Sequence, residues 1–378
     1  GLVTNNGRWV THVTSAYVTY RITGSAAWVG VTGFATFVPM LLLNPVSGHI
    51  SDTRRRRNVL FVTNAAYGVV AVVMASAWAA GMRSPTGWVL LFFASGCVAG
   101  IQLPVWQAFV AECVPKDLLR NAITLNSTQF NAARTVGPAI GGLLIGTLGP
   151  GWAFLTAALF VGPVLVCLSL MDPAGLHRPE DLDPADRGAR AVLTGYRDSI
   201  RYVRDSPGIR TAVLTITLVM TVTAPISQQV VVFAEEVFTV SPFWFGVLAS
   251  AQGIGAVLSA PVVAGELDRV QRSRLQFGAV LGYAACVAVL GLAPAFWMGF
   301  LALAALGAVH LTSASNLNSV VQLQVDDAVR GRVMAIYLMG VLGTTPFANL
   351  LMGWLISVFG ARQVVLVGGA LLLFVGVF

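Results

Sequence analysis

The chain has 378 residues, of which 56% are hydrophobic and only 10% charged, with a formal net charge of +7. A soluble domain carries about 25% charged residues, so this composition excludes a water-soluble fold and indicates an integral membrane protein. The positive charge does not point to nucleic acid. Lys116 is the one lysine, and the arginines fall in short segments between apolar runs, which is the pattern of membrane topology.

In chain order, the apolar runs predict twelve transmembrane helices at Gly1–Tyr20, Ala27–Gly48, Val59–Ala80, Trp88–Val110, Ala122–Leu148, Trp152–Leu170, Thr211–Ala234, Phe243–Gly265, Leu275–Leu292, Phe296–Val320, Val333–Phe359 and Val364–Phe378. The chain opens and closes inside apolar runs, so the first and last helices are expected to be partial. The connections are short except for 172–210, a polar stretch with Pro173, Pro179, Pro184 and Pro207. The expected organisation is an all-α membrane protein: an N-terminal six-helix bundle (1–171), a connector (172–210) and a C-terminal six-helix bundle (211–378). Cys97, Cys113, Cys167 and Cys286 lie far apart in or beside apolar stretches, without metal-ligand spacing, and read as small buried residues.

Between the second and third spans lies Gly48-His-Ile-Ser-Asp52-Thr-Arg54-Arg-Arg-Arg57, which reads as a tight basic hairpin. Four consecutive arginines must stay in water. Eighteen of the 23 basic residues fall in loops on this same side, including Arg120, Arg330, Arg332 and the connector, against three (Arg21, Arg83, Arg362) on the other. That asymmetry places the connector and both termini on the cytoplasmic side of the membrane in a multi-pass protein.

The halves echo each other. Gly48…Asp52…Arg57 recurs weakly at Gly265…Asp268…Arg274, the segment Val114–Ile123 at Val325–Ile336, and Pro138 in the fifth span at Pro346 in the eleventh. Such a period implies a duplicated six-helix unit, two bundles related by a pseudo-two-fold axis as a parallel 6+6 repeat.

These features resemble the major facilitator superfamily. Its loop signature, Gly-x-x-x-Asp-(Arg/Lys)-x-x-Arg-Arg, is matched by Gly48, Asp52, Arg56 and Arg57, with Thr53 where a basic residue is usual. A second signature, Gly-Pro-x-x-Gly-Gly, stands as Gly137-Pro138-Ala-Ile-Gly141-Gly142 and is characteristic of the export branch. Thr23-Gly24-Ser25, Asn131-Ala-Ala-Arg134-Thr-Val-Gly-Pro and Arg330-Gly-Arg-Val-Met334 look most like bacterial exporters of the enterobactin-exporter and macrolide-efflux type. The resemblance implies a monomer and a latch in which Asp52 and the basic arm close the cytoplasmic side near the start of the eleventh helix, around Arg332. Gly48 would let the second helix approach a neighbour closely.

Polar residues inside spans are costly unless they face a cavity or a partner. Asn5, Arg8, His12, Ser15 and Thr19 recur at helical spacing on the first span, as do Thr124, Ser127, Asn131 and Arg134 on the fifth. Both stripes predict a central substrate cavity, with Trp9, Gln102 and Trp106 on the near side and Gln228, Gln229 and His310 on the facing wall. Arg134 could instead bond to backbone freed by Pro138. No acidic residue reaches mid-membrane, so His12, whose ordinary pKa is about 6.5, is the best-placed group for proton coupling, with Glu112 and Asp52 at the cytoplasmic mouth as the alternatives. Two cavity arginines with no opposing carboxylate would favour an anionic ligand.

The expected function is secondary active export of a small amphipathic molecule such as a drug, antibiotic or siderophore, driven by the proton gradient and without a bound cofactor or metal. An importer or facilitator of a small anionic solute is the alternative, and a non-transporting sensor a remote one. No nucleotide-binding or hydrolase motif is present, so an enzyme is not expected.

Overall fold

The computed structural model describes residues 1–172, 201–265, 270–325 and 330–377, and every regular element among them is helical. In order these are α1 (Leu2–Thr23), α2 (Ala26–Thr53), α3 (Arg56–Ala79), α4 (Pro85–Glu112), a 3-10 turn (Lys116–Leu118), α5 (Leu119–Thr147), α6 (Pro150–Leu159) and α7 (Gly162–Leu170). They are followed by α8 (Pro207–Val232) with a π-helical turn at Phe233–Val237, α9 (Pro242–Gly265), α10 (Arg272–Leu292), α11 (Phe296–Gln324), α12 (Arg330–Leu342), α13 (Thr345–Phe359) and α14 (Ala361–Val377). Most of the expected connector, 173–200, lies outside the described residues.

Nine segments among the described residues are long and apolar enough to cross a membrane: α2, α3, α4, α6 with α7, α8, α9, α10, α11, and α12 with α13. Ala361–Phe374 of α14 is a shorter apolar helix. α1 and α5, both read as spans in the sequence, are not among these segments. They are long, at 22 and 29 residues, but Asn5, Asn6, Arg8 and His12 on one and Asn126, Asn131 and Arg134 on the other dilute their hydropathy. They are sheltered by packing on each other rather than by lipid alone.

Three boundaries also differ from expectation. The basic hairpin is only a two-residue corner: α2 continues through Gly48 and Asp52 to Thr53, with Arg54 N bonded to Ile50 O at 2.9 Å, and α3 begins at Arg56. Arg56 and Arg57 are good helix formers in water and open α3 ahead of its apolar segment. The sixth predicted span is two helices, because Pro163 sits in the first turn of α7 and cannot continue α6. The eleventh is likewise broken before Pro346 at the start of α13, whereas Pro138 lies within an unbroken α5.

In chain order the helices are taken as two sets, α1–α7 and α8–α14. In the first, α4 lies on α2 and α3, while α1 lies on α5 and α6; in the second, α11 lies on α9 and α10, and α14 on α10. Small residues set the close crossings. A methyl on Gly100 would meet Met40 Cα at 2.9 Å and Pro39 O at 3.0 Å, so α4 can sit against α2 only without a side chain there. α8 is central: half of its span is buried, and Ile209, Ile216, Val219, Ile226 and Val231 anchor the largest apolar cluster. Outward-facing Leu42, Leu90, Leu258 and Val367 are heavily exposed, a surface suited to hydrocarbon rather than water. The protein is a multi-pass membrane protein.

Candidate functional site

The two sets of helices meet chiefly through α5 against α9 and α2 against α13. These crossings join the helices at the end remote from Arg54–Arg57. At the first, a methyl on Gly246 would lie 2.6 Å from Gly142 Cα and 2.7 Å from Pro138 O. At the second, a methyl on Gly353 would lie 2.6 Å from Ala26 O and 2.8 Å from Gly30 Cα. Side chains complete this closure. Gln229 Nε2 donates to Ala26 O at 3.1 Å, Tyr17 stacks on Phe245 with centroids 6.0 Å apart, and Tyr20 Oη donates to Glu236 Oε1 at 2.6 Å.

Beneath the closure lies a cavity of about 240 Å³ that draws its walls from both sets: Trp9 and His12 of α1, Phe37 of α2, Phe130 and Arg134 of α5, Ser227 and Gln228 of α8, Gln252 of α9, Tyr283 of α10 and His310 of α11. Toward the arginine-rich end, Thr124 and Ser127 on α5 are exposed.

Trp9, His12, Arg134, Gln228 and His310 are thus brought together. Arg134 does not turn to its own backbone. Its Nη2 donates across the interface to Gln252 Oε1 at 3.0 Å, Ser227 Oγ donates to the same oxygen at 2.8 Å, and the guanidinium lies 5.8 Å from the Trp9 ring centroid. His12 lies between the rings of Trp9 and Phe37, and His310 Nδ1 pairs with Tyr283 Oη at 3.0 Å. Gln228 is buried, with neither Nε2 nor Oε1 partnered.

The other expected lining residues are placed elsewhere. Arg8 bonds to Gln102 and sits over the Tyr67 ring, 4.9 Å from its centroid, because Gln102 and Tyr67 fold around it within the first set of helices. Asn5 is half-buried on α1, outside the cavity lining. Trp106 Nε1 donates to Asn126 Oδ1 at 2.9 Å, tying α4 to α5, and Asn131 bonds to the Ser127 carbonyl on its own helix. Gln229, one residue from Gln228 and so about 100° around the helix, faces the α2–α13 crossing instead of the cavity.

Of the motif residues, Gly137 and Gly141 face α1, where methyls would meet Trp9 Cβ at 2.5 Å and Val10 Cα at 3.5 Å, while Gly142 faces α9. The Gly-Pro-x-x-Gly-Gly segment is a contact plate for two helices. At the arginine-rich end, Gly48 faces open space in this conformation and makes no close approach. Arg56 Nη1 pairs with Glu112 Oε1 at 2.8 Å and its Nε donates to Ser51 O. Arg57 donates to the carbonyls of Leu168 at 2.5 Å and Ser169 at 3.0 Å, holding the C-terminal end of α7. Both brace the first set of helices internally. Arg120 is exposed. The side chains of Asp52, Arg330 and Arg332 lie outside the described residues, and the expected latch with them.

Gly30, Gly353, Gly246, Tyr20 and Glu236 were not anticipated at the closure. Gly30-x-x-Gly33 is a small-residue pair of the kind that marks helix contacts. Nothing local in the sequence links Tyr20 to Glu236.

A family model described as "Transmembrane secretion effector" matches residues 1–378. The staphyloferrin A transporter of Staphylococcus aureus is 22% identical over 357 residues, covering 94% of this chain and 87% of its own. The multidrug efflux pump Tap of Mycolicibacterium fortuitum is 25% identical over 359 residues, with 92% and 84% covered. The enterobactin exporter EntS of Escherichia coli is 24% identical over 310 residues, with 82% and 71% covered. In fold, the chain is similar over its whole length to a bacterial homologue of the human lysosomal transporter Spinster in an inward-facing, unoccupied conformation, with TM-score 0.75, 15% identity and 93% of that chain covered.

Proposed function

The chain belongs to the major facilitator superfamily, among its transmembrane secretion effectors, and on that premise we propose that it is a secondary active exporter moving a small amphipathic molecule outward by alternating access. The observation that carries this reading is the cavity itself. Its walls come from both sets of helices, and it is sealed beyond Gly142–Gly246 and Gly30–Gly353, so a relative tilt of the two sets would expose it to the other side.

In this proposal α1, α5 and α14 join the nine apolar segments to make twelve spans in two six-helix bundles. Gly149 after α5 and Gly360 after α13 support the repeat: they occupy corresponding corners with nearly the same backbone, φ 94° and ψ 166° against φ 84° and ψ 154°. The arginine-rich end faces the cytoplasm of a bacterial cell by the charge asymmetry. The structure then corresponds to the loading state of an exporter, shut outside. Named relatives include an exporter and an efflux pump, which supports the direction. The protein works as a monomer without a bound cofactor, and proton coupling is assigned to His12, within the cavity that also holds Arg134, His310 and Tyr283.

The test is accumulation of a panel comprising a macrolide, a siderophore and a cationic dye, in pump-deficient cells with and without the gene. Export lowers the steady-state level of at least one compound. Equal levels across the panel count against it.

A further inference from the structure

We propose that the cavity takes its substrate by an anionic group, a carboxylate held between Arg134 of one bundle and Gln228 of the other. The proposal rests on the transport reading of this cavity and adds the substrate class.

Two independent observations carry it. The first is an uncompensated cation. Among the described residues that line the cavity none is acidic; Glu112 is engaged by Arg56, and Glu235 and Glu236 sit at the shut end. Arg134 meets only the neutral amide oxygen of Gln252 and the face of Trp9. A guanidinium within a membrane span needs a countercharge or water, and its fork of five donors matches a carboxylate in two parallel bonds. Arg8, the other arginine expected in the cavity, is used up on Gln102 and Tyr67, which leaves Arg134 as the cavity's fixed charge.

The second is an unused amide. Gln228 is 2% exposed and lines the cavity, yet neither its Nε2 nor its Oε1 has a partner. Buried polar atoms are nearly always paired, so an orphaned amide on a residue that lines a cavity marks a place where a ligand can supply the bond. Its Nε2 would donate to the same carboxylate. Trp9 and Phe130 supply faces for an apolar body, and about 240 Å³ suits an acid built on a small ring system. Because α5 and α8 belong to different bundles, one bound anion would bridge them, so occupancy bears on their relative position.

The test uses the full chain in nanodiscs, with empty nanodiscs as control, and three probes sharing one ring system: 2-naphthylacetate, its neutral amide and 2-naphthylethylamine. The acid should bind at least about tenfold more tightly than either of the others, the value of one charge-assisted bond. Arg134→Gln should erase that preference while leaving amide binding in place, and Gln228→Leu should weaken the acid several-fold. Equal or tighter binding of the amine or amide by the unmodified protein, or no binding of the acid, overturns the proposal without any variant having to fold. So does a preserved preference in Arg134→Gln. Acid preference without gradient-driven movement of any compound would sink the export reading and leave this site standing. Export of a cationic dye with no acid preference would do the reverse.

Discussion

Gly142 of α5 and Gly246 of α9 meet backbone to backbone: a methyl on either would lie 2.5–2.6 Å from the other's Cα, and neither main chain can yield. The last glycine of the Gly-Pro-x-x-Gly-Gly segment is thus one half of the closure above the cavity. Gly246→Val should destabilise the shut state by about 1–3 kcal/mol, the usual cost of overpacking a close contact. With Cys97, Cys113, Cys167 and Cys286 replaced and a reporter cysteine put at Thr223 in the cavity wall, labelling by an impermeant thiol reagent from outside should accelerate. Unchanged labelling would mean that this crossing does not control access.

Tyr20 and Glu236 form the outermost bond of the same closure, at 2.6 Å, and the pair is exposed. An exposed hydrogen bond contributes only about 0.5–1.5 kcal/mol. Tyr20→Phe should therefore leave thermal stability unchanged and raise labelling of the Thr223 reporter a few-fold. A large loss of stability with no change in labelling would assign the bond to structure instead of gating.

The Arg56–Glu112 pair has side chains only 16% and 8% exposed. Removing Glu112 takes away a largely buried ion-pair partner, although Arg56 keeps its bonds to Ser51. Glu112→Ala should cost about 1–3 kcal/mol, seen as a lower thermal midpoint in detergent, and Glu112→Asp should restore part of it. A midpoint unmoved by Glu112→Ala would show the pair to be energetically silent.

His12 and His310 are the histidines lining the cavity, but His310 is tied to Tyr283 while His12 contacts only rings. If His12 carries the coupled proton, His12→Ala should abolish the response of efflux to a protonophore, whereas His310→Ala should keep it. Efflux by His12→Ala that collapses with the protonophore as the unmodified protein's does would place coupling elsewhere.

The membrane class was legible because composition and loop charge act over the whole chain, and of the polar stripes read on α1 and α5, His12 and Arg134 line the cavity. What stayed illegible depends on a neighbour's position. Gln228 and Gln229 are equivalent as text, yet one turns into the cavity and the other seals α8 against α2. Arg56 and Arg57 read as a latch across the halves, and their bonds to Glu112 and to the end of α7 appear only when α3, α4 and α7 are brought together. The helical continuation through Gly48–Thr53 was masked by the arginine run that follows it. A glycine and four arginines suggest a turn, but water tolerates an arginine-rich helix end as readily as a loop.

The central claim is outward movement through this cavity, and inside-out membrane vesicles test it most directly, since their cytoplasmic face is exposed to added compound. Energising them should drive uptake of whichever compound the gene keeps out of cells. Uptake confined to right-side-out vesicles would show an importer and contradict the account.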